Sequence, residues 1–137
     1  MYEGKLRVRS NGILIEDNSI LLVNLRSPIT DTLIWTAPGG GVEFGETTQE
    51  AVIREFEEET GLLVRVHQLL HINELIEAQF HAVEFYYKVE KVSGMLKKGS
   101  DPERSLQNQL IKEVKFINVD KLNEFDVTPE FLLGLSL

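Results

Sequence analysis

The chain has no cysteine, which excludes disulfides, thiolate nucleophiles and thiolate metal ligands together and fits a reducing compartment. Cations are scarce too: 14 Lys and Arg stand against 22 Asp and Glu, a formal charge of −8. The overall basic footprint of a nucleic-acid-binding protein is therefore missing, and no polymeric phosphate partner is expected. No opening segment reads as a signal peptide, and no apolar run approaches the roughly 20 residues of a membrane span. The expected setting is cytoplasmic, without a membrane. His67, His71 and His81 fall in predicted strands without HxH or HExxH spacing, so no zinc site is expected. What is present is a chain of 137 residues, 42% hydrophobic, enough for one compact domain over 1–137 with no repeat or linker. A homodimer is left open.

Residues 4–15 and 20–26 are rich in Leu, Ile and Val around the polar turn Glu16-Asp17-Asn18-Ser19, which predicts a β-hairpin. The segment Ser27 to Ala37, with Pro28, Asp31 and Thr32, runs into Pro38-Gly39-Gly40-Gly41, a composition that no regular element is expected to tolerate, and the whole is read as a functional loop. Thr47 followed by Glu50 has capping-box spacing, and Gly61 suits the left-handed position past a helix end, so a helix is predicted over 48–60. Beyond it the period changes to two, with Leu62, Val64, Val66, Leu70 and Ile72 on one face, then Val83, Phe85, Tyr87 and Val89 in a second strand, and a shorter strand over 114–119. Residues 91–110 are expected to form a long polar loop. Asp120 to Phe125 and Pro129 to Leu135 read as short helices. Strands on both sides of a central helix imply a mixed sheet with helices packed on it, an α/β or α+β layer architecture.

At 100° per residue, the central helix places Val52, Ile53, Phe56 and Thr60 on one side and Arg54, Glu55, Glu58 and Glu59 on another. Glu55 lies three residues before Glu58 and four before Glu59, so the carboxylates emerge as neighbours and repel. Arg54 alone cannot neutralise three of them; a divalent cation would. A solvated acidic face is the ordinary reading of such a run. The Gly-rich segment just before the helix favours a site instead, because glycines let backbone amides and carbonyls approach a ligand.

From Gly40 the chain carries five residues, Glu46, seven residues, Arg54-Glu55-Phe56, one residue, Glu58-Glu59, one residue, then Gly61-Leu62. This spacing resembles the Nudix box, with Phe56 as a mild departure at an aliphatic position. The resemblance extends to Leu21-Leu22-Val23 with Arg26, to Trp35 and to Pro38-Gly39-Gly40-Gly41. It implies a Nudix-type α/β/α sandwich and a MutT-like, Mg²⁺-dependent hydrolase, with Mn²⁺ as an alternative ion. Its substrates would be small nucleotides, nucleoside diphosphates linked to another moiety. Also implied are Glu55 and Glu59 as metal ligands, Glu58 as metal ligand or base, Arg54 as the group orienting a box glutamate, the Gly39 carbonyl as a further ligand, and Arg26 as a phosphate contact. The general base stays open between Glu55, Glu58, Asp101, Glu103 and Glu113, with a box glutamate favoured. Hard Mg²⁺ held by carboxylates suits the chemistry, because anhydride hydrolysis needs neutralised phosphate oxygens and an in-line water.

Other residues take plainer expectations. Trp35, beside a Gly turn, is expected to be a packing anchor. Lys97, Lys98 and Arg104 are expected to be solvated loop charges, with contact to a distal phosphate as the alternative. After the box, Ile76-Glu77-Ala78-Gln79 carries neither the proline nor the tyrosine that marks two of the family's substrate groups. Nucleoside triphosphates, oxidised ones included, and ADP-ribose-like nucleotide sugars remain. Two other classes are weighed: a regulatory module that binds nucleotide sugars without cutting them, and an interaction domain with an acidic helix and no Mg²⁺ binding.

Overall fold

The computed structural model describes residues 4–97 and 111–135. Five strands, β1 (Leu6–Ile13), β2 (Ile15–Glu16), β3 (Ser19–Arg26), β4 (Leu33–Thr36) and β5 (Gly39–Gly41), precede the helix α1 (Thr48–Thr60). Strands β6 (Leu62–Glu77), β7 (Phe80–Gly94) and β8 (Ile111–Asn118) follow, and then two 3-10 segments, Val119–Glu124 and Glu130–Gly134. One sheet has the order β5-β1-β7-β6 and is mixed, with β1 parallel to β7 and the outer pairs antiparallel. The other is antiparallel around β3, with β8 on one edge and β2 and β4 sharing the other. Among the described residues, no helix is long and apolar enough to cross a membrane.

Successive strand residues point to opposite faces, and both faces are covered here. Ile13, Ile20, Leu22 and Tyr86 pack toward the 3-10 segments with Leu122, Val127 and Leu132. Their chain neighbours Leu14, Leu21 and Tyr87 pack with Val52 and Phe56 of α1. Burial on both sides explains the unbroken apolar run Ile20-Leu21-Leu22-Val23, all inaccessible to solvent. The helix ends where its sequence dictates. Thr47 Oγ1 accepts from Glu50 N at 3.0 Å, Glu50 Oε1 accepts from Thr47 N at 2.9 Å, and Gly61 closes the helix at φ 80°.

Four expectations need correction. The polar loop expected over 91–110 does not begin at residue 91, because β7 continues as a strand through Gly94, and residues 98–110 lie outside the described residues. The hairpin between 4–15 and 20–26 exists only at its tip, where Ile15 pairs with Ile20 and Glu16 with Ser19 around Asp17 and Asn18, both at positive φ. Upstream of Leu14 the chain changes sheets, and β1 pairs with β5 and β7. The segment from Ser27 to Gly41 is not one loop: Leu33–Thr36 pairs with β3 as a strand, and Gly39–Gly41 is a strand against β1. A Cβ at Gly39 would collide with Asn11 Oδ1 and the Ser10 carbonyl, so only a bare backbone fits against β1 here. The alternation of β6 fails after Val66, because register shifts fall between Val66 and Gln68 and between Leu69 and His71. His71 then turns inward to stack on Phe131 at 4.0 Å, while Ile72 is 51% exposed.

Candidate functional site

The site is built where α1 crosses the glycine strand. Ser10 Oγ donates to the Thr48 carbonyl at 2.7 Å, and Thr48 Oγ1 and Tyr87 Oη lie 2.6 Å apart, which ties the start of α1 to the mixed sheet. One helical face then carries Val52 and Phe56 into the core. The next face carries Glu55 and Glu59 beneath β5, where they are 5% and 0% exposed. The solvated acidic face is therefore absent at these two positions. A Cβ on Gly40 would sit 2.5 Å from Glu55 Cδ and Oε2, so the glycine lets the backbone lie directly on the carboxylate. Gly39 N donates to Glu59 Oε1 at 3.1 Å, while Glu59 Oε2 is buried with no hydrogen-bond partner.

Arg54 organises the outer side. Its Nε donates to Glu46 Oε2 at 2.7 Å and its Nη2 to Glu46 Oε1 at 2.9 Å, a bidentate pair. Nη1 donates to Glu55 Oε1 at 2.9 Å and reaches Glu58 Oε2 at 3.5 Å, and Nη2 also donates to the Gly41 carbonyl at 3.2 Å. The hydrogen bond from Arg54 holds the Glu46 carboxyl below the usual carboxylate range, and the paired carboxylates hold the Arg54 guanidinium more firmly protonated than usual. Burial pushes the Glu55 carboxyl up, opposed by Arg54 and reinforced by Glu58. Burial, and then the charge of Glu55, pushes Glu59 far above the ordinary range. Among the described residues, no three Asp, Glu or His side chains already converge as an ion cage; Arg54 draws Glu55 and Glu58 toward itself.

Other candidates are placed apart from this centre. Arg26 is half-exposed at the end of β3, where its Nη1 donates to the Asp31 carbonyl at 2.6 Å and lies 3.5 Å from Asp31 Oδ1. It borders a cavity of about 340 Å³ between the two sheets, which Arg7, Arg9, Glu84 and Asp126 also line. Glu113 lies on β8, 3.7 Å from Lys115 Nζ. Asp101, Glu103, Lys98 and Arg104 lie outside the described residues. Lys97 N donates to the Thr60 carbonyl, and its stem covers Gly61. Trp35 packs edge-on against Phe125 at 5.8 Å, the anchor role expected of it. His67 and His81 face Glu90 and Glu74 at 3.8 and 3.0 Å. Spacing alone singles out Glu46, and its filled box position is the signal for its contact with Arg54. Arg9, on the cavity wall and 3.5 Å from Glu84 Oε2, is not singled out by the sequence, although an alternating Arg7-x-Arg9 in a strand is a signal.

A buried pair of carboxylates presented by a capped helix beneath a glycine strand, in a fold layered on both faces of its strands, defines a known class of domain. The family model described as "NUDIX domain" matches residues 6–132, and the chain belongs to this family. It is 34% identical over 118 residues to an ADP-ribose pyrophosphatase of Methanocaldococcus jannaschii, covering 84% of this chain and 63% of that protein. The chain thus spans less than two thirds of that relative's length. It is 30% identical over 93 residues to an 8-oxo-dGTP diphosphatase of Escherichia coli, covering 66% and 70% of the two chains. A MutT NUDIX hydrolase structure from Burkholderia pseudomallei superposes with a TM-score of 0.73 at 24% identity, over 97% of this chain and 99% of that one, a likeness of fold.

Proposed function

We propose that this chain is a divalent-metal-dependent hydrolase that cleaves a phosphoanhydride bond in a nucleoside diphosphate linked to another moiety. The observation that carries the reading is Glu59, a carboxylate with no exposure and with one oxygen lacking any partner. Burying such a charge is unfavourable unless something cationic meets it. Glu55 lies beside it, also buried, and the donor set is all oxygen, which suits Mg²⁺ or Mn²⁺. Glu55, Glu58 and Glu59, with the Gly39 carbonyl, would hold the ion. Once bound, it supplies neutralisation of phosphate oxygens and a more acidic water.

The remaining work belongs to the chain. Arg54 anchors to Glu46 and sets the directions of Glu55 and Glu58. One of those two takes the proton of the attacking water, and Glu58 is the more open of the pair, with its side chain 25% exposed against 7%. The interlayer cavity takes the nucleoside, with Arg26 at its border. The relatives named above suggest ADP-ribose-like nucleotide sugars and nucleoside triphosphates, oxidised ones included, as the first compounds to try. A single domain acting in the cytoplasm on small nucleotides, without nucleic acid polymers, belongs to the same reading.

The test is a nucleotide panel with Mg²⁺, scored for released phosphate, pyrophosphate or nucleoside monophosphate. Metal-dependent turnover of at least one member is expected. Glu55→Gln and Glu58→Gln should divide into one loss of about 10²–10⁴-fold in turnover, at the proton acceptor, and one smaller loss. Full Mg²⁺-dependent activity in Glu59→Gln would refute the metal assignment.

A further inference from the structure

Among the described residues, the Nε of the half-buried Arg9 is withdrawn from solvent without a hydrogen-bond acceptor. Arg9 lies on β1, opposite Gly41 of β5 and Glu84 of β7, and its side chain is 17% exposed. Its ion pair joins Nε to Glu84 Oε2 at 3.5 Å, and this buried Nε makes no hydrogen bond. A guanidinium carries five donors in a fixed fork matched to a carboxylate or phosphate. Leaving one of them buried and unmatched, as Nε is, is unfavourable.

The partner beside it is held in place. Glu84 Oε1 accepts from Asn73 Nδ2 at 3.0 Å and from Tyr86 Oη at 3.4 Å, which leaves Oε2 turned toward Arg9. Arg9, Glu84, Asn73 and Tyr86 all line the cavity of about 340 Å³. In the other direction, the charge of Arg9 reaches Glu55 and Glu59 and opposes the upward push on both. Arg9 pairs across β1 and β5 with Gly41, whose neighbour Gly40 lies against the Glu55 carboxylate, so it stands where the cavity meets the carboxylates. A nucleotide with its nucleoside in the cavity and its anhydride at Glu55 and Glu59 passes its nearer phosphoryl group through this point.

We infer that Arg9 binds the phosphoryl group next to the nucleoside, and that Glu84, itself fixed by Asn73, is the positioning residue that aims it. The inference rests on the proposed reading of the substrate as a nucleotide with its anhydride at the helix carboxylates. A base edge is the competing ligand, since Arg9 and Glu84 put donors beside an acceptor. The phosphoryl group is favoured because Arg9 occupies the carboxylate side of the cavity and because an anionic phosphoryl oxygen matches a guanidinium that meets Glu84 only through one 3.5 Å contact.

Calorimetry on the full chain in EDTA, with adenosine against AMP and guanosine against GMP, separates these ligands without relying on turnover. For at least one pair, the wild type should bind the monophosphate at least about 10-fold more tightly than the nucleoside. Arg9→Met should erase that preference through a loss of about 10- to 100-fold for the monophosphate, with the nucleoside unchanged. Glu84→Gln should weaken the monophosphate by a smaller factor. Arg9→Lys, which keeps the charge but not the fork, should fall in between, and it carries the test if Arg9→Met does not melt cooperatively. Equal losses for nucleoside and monophosphate, no loss, or a wild type with no preference would overturn the inference. The Mg²⁺ panel run in parallel keeps the two readings distinct. Monophosphate preference without hydrolysis sinks the hydrolase reading alone, and hydrolysis with an unaltered Arg9→Met preference sinks only the role of Arg9.

Discussion

Phe56 and Glu59 stand three residues apart on α1, and both are wholly withdrawn from solvent. Phe56 lies among Val52, Leu62, Val64 and Val89, where burial itself is the stabilising term. Glu59 lies beneath Gly39 with one oxygen satisfied and the other orphaned, where burial opposes folding. Adjacent faces of one helix thus do opposite things to stability. The apolar face holds the helix against the sheet firmly enough for the acidic face to stay in a place it would otherwise leave. A helix that held its carboxylates in water would fold more readily and would have far less reason to bind a cation.

The sharpest way to break this contrast is to remove the supporting face. Phe56→Ala should cost about 3–5 kcal/mol of stability, the usual range for a buried aromatic, read as a fall in the denaturant midpoint with the slope unchanged. If it cost less than about 1 kcal/mol, the apolar face would not be what keeps α1 in place. The opposite face should respond with the opposite sign. In EDTA at neutral pH, Glu59→Gln should raise stability by on the order of 1–3 kcal/mol, because it removes the cost of either burying the charge or protonating the carboxyl while an oxygen remains for Gly39 N to bond. The pH dependence follows from the raised carboxyl. Its ordinary value is 4.5 and its folded value lies well above that, so over this interval the metal-free native state binds a proton that the unfolded state has released. Stability is then fully present below 4.5 and is lost as pH rises through the folded value. Thermal melts in EDTA should show that fall in the wild type and a weaker one in Glu59→Gln. Mg²⁺ should raise the wild-type melting temperature more than that of the variant, and equal Mg²⁺ responses would count against Glu59 as a ligand.

The sequence disclosed the two faces to different degrees. The helix limits were legible to the residue, since Thr47, Glu50 and Gly61 each have a local role that depends on no distant part of the chain. The burial of Phe56 follows from periodicity. The burial of Glu55 and Glu59 does not, because an acidic helix face is ordinarily solvated, and only the spacing from Gly40 to Gly61 argued otherwise. Strand pairing was less visible still. The exit of β1 from its apparent hairpin is decided by β7, more than sixty residues further on, and the bulges of β6 leave no compositional mark. Gly39–Gly41 looked like a loop because glycine disfavours strands in general; here the crowding by Asn11 and Glu55 reverses that rule.

That crowding provides a milder test of the same contrast. Gly40→Ala should place a methyl group 2.5 Å from a Glu55 carboxylate that Arg54 already holds at 2.9 Å, so either the strand or the carboxylate must shift. A stability loss of about 1–3 kcal/mol is expected, together with a fall in Mg²⁺-dependent turnover. Gly134→Ala, where a Cβ meets nothing within 4 Å, should change neither. Matching behaviour of the two variants would mean that the glycine strand does not press on the site.

The smallest expected effect asks whether the helix serves the site only by existing. Thr47 Oγ1 satisfies Glu50 N at 3.0 Å, and its removal in Thr47→Ala should cost about 1 kcal/mol, seen as a small drop in melting temperature. The reciprocal bond from Thr47 N to Glu50 Oε1 uses the backbone and survives the change, which keeps the loss at the low end. Eight residues and two turns separate Thr47 from Glu55, and the buried Ala51 and Val52 still clamp the intervening segment. Turnover measured well below the melting point should therefore match the wild type. A drop in turnover without a comparable drop in stability would mean that fraying at the first turn reaches the carboxylates, and that the two faces of α1 are less separable than their opposite chemistry suggests.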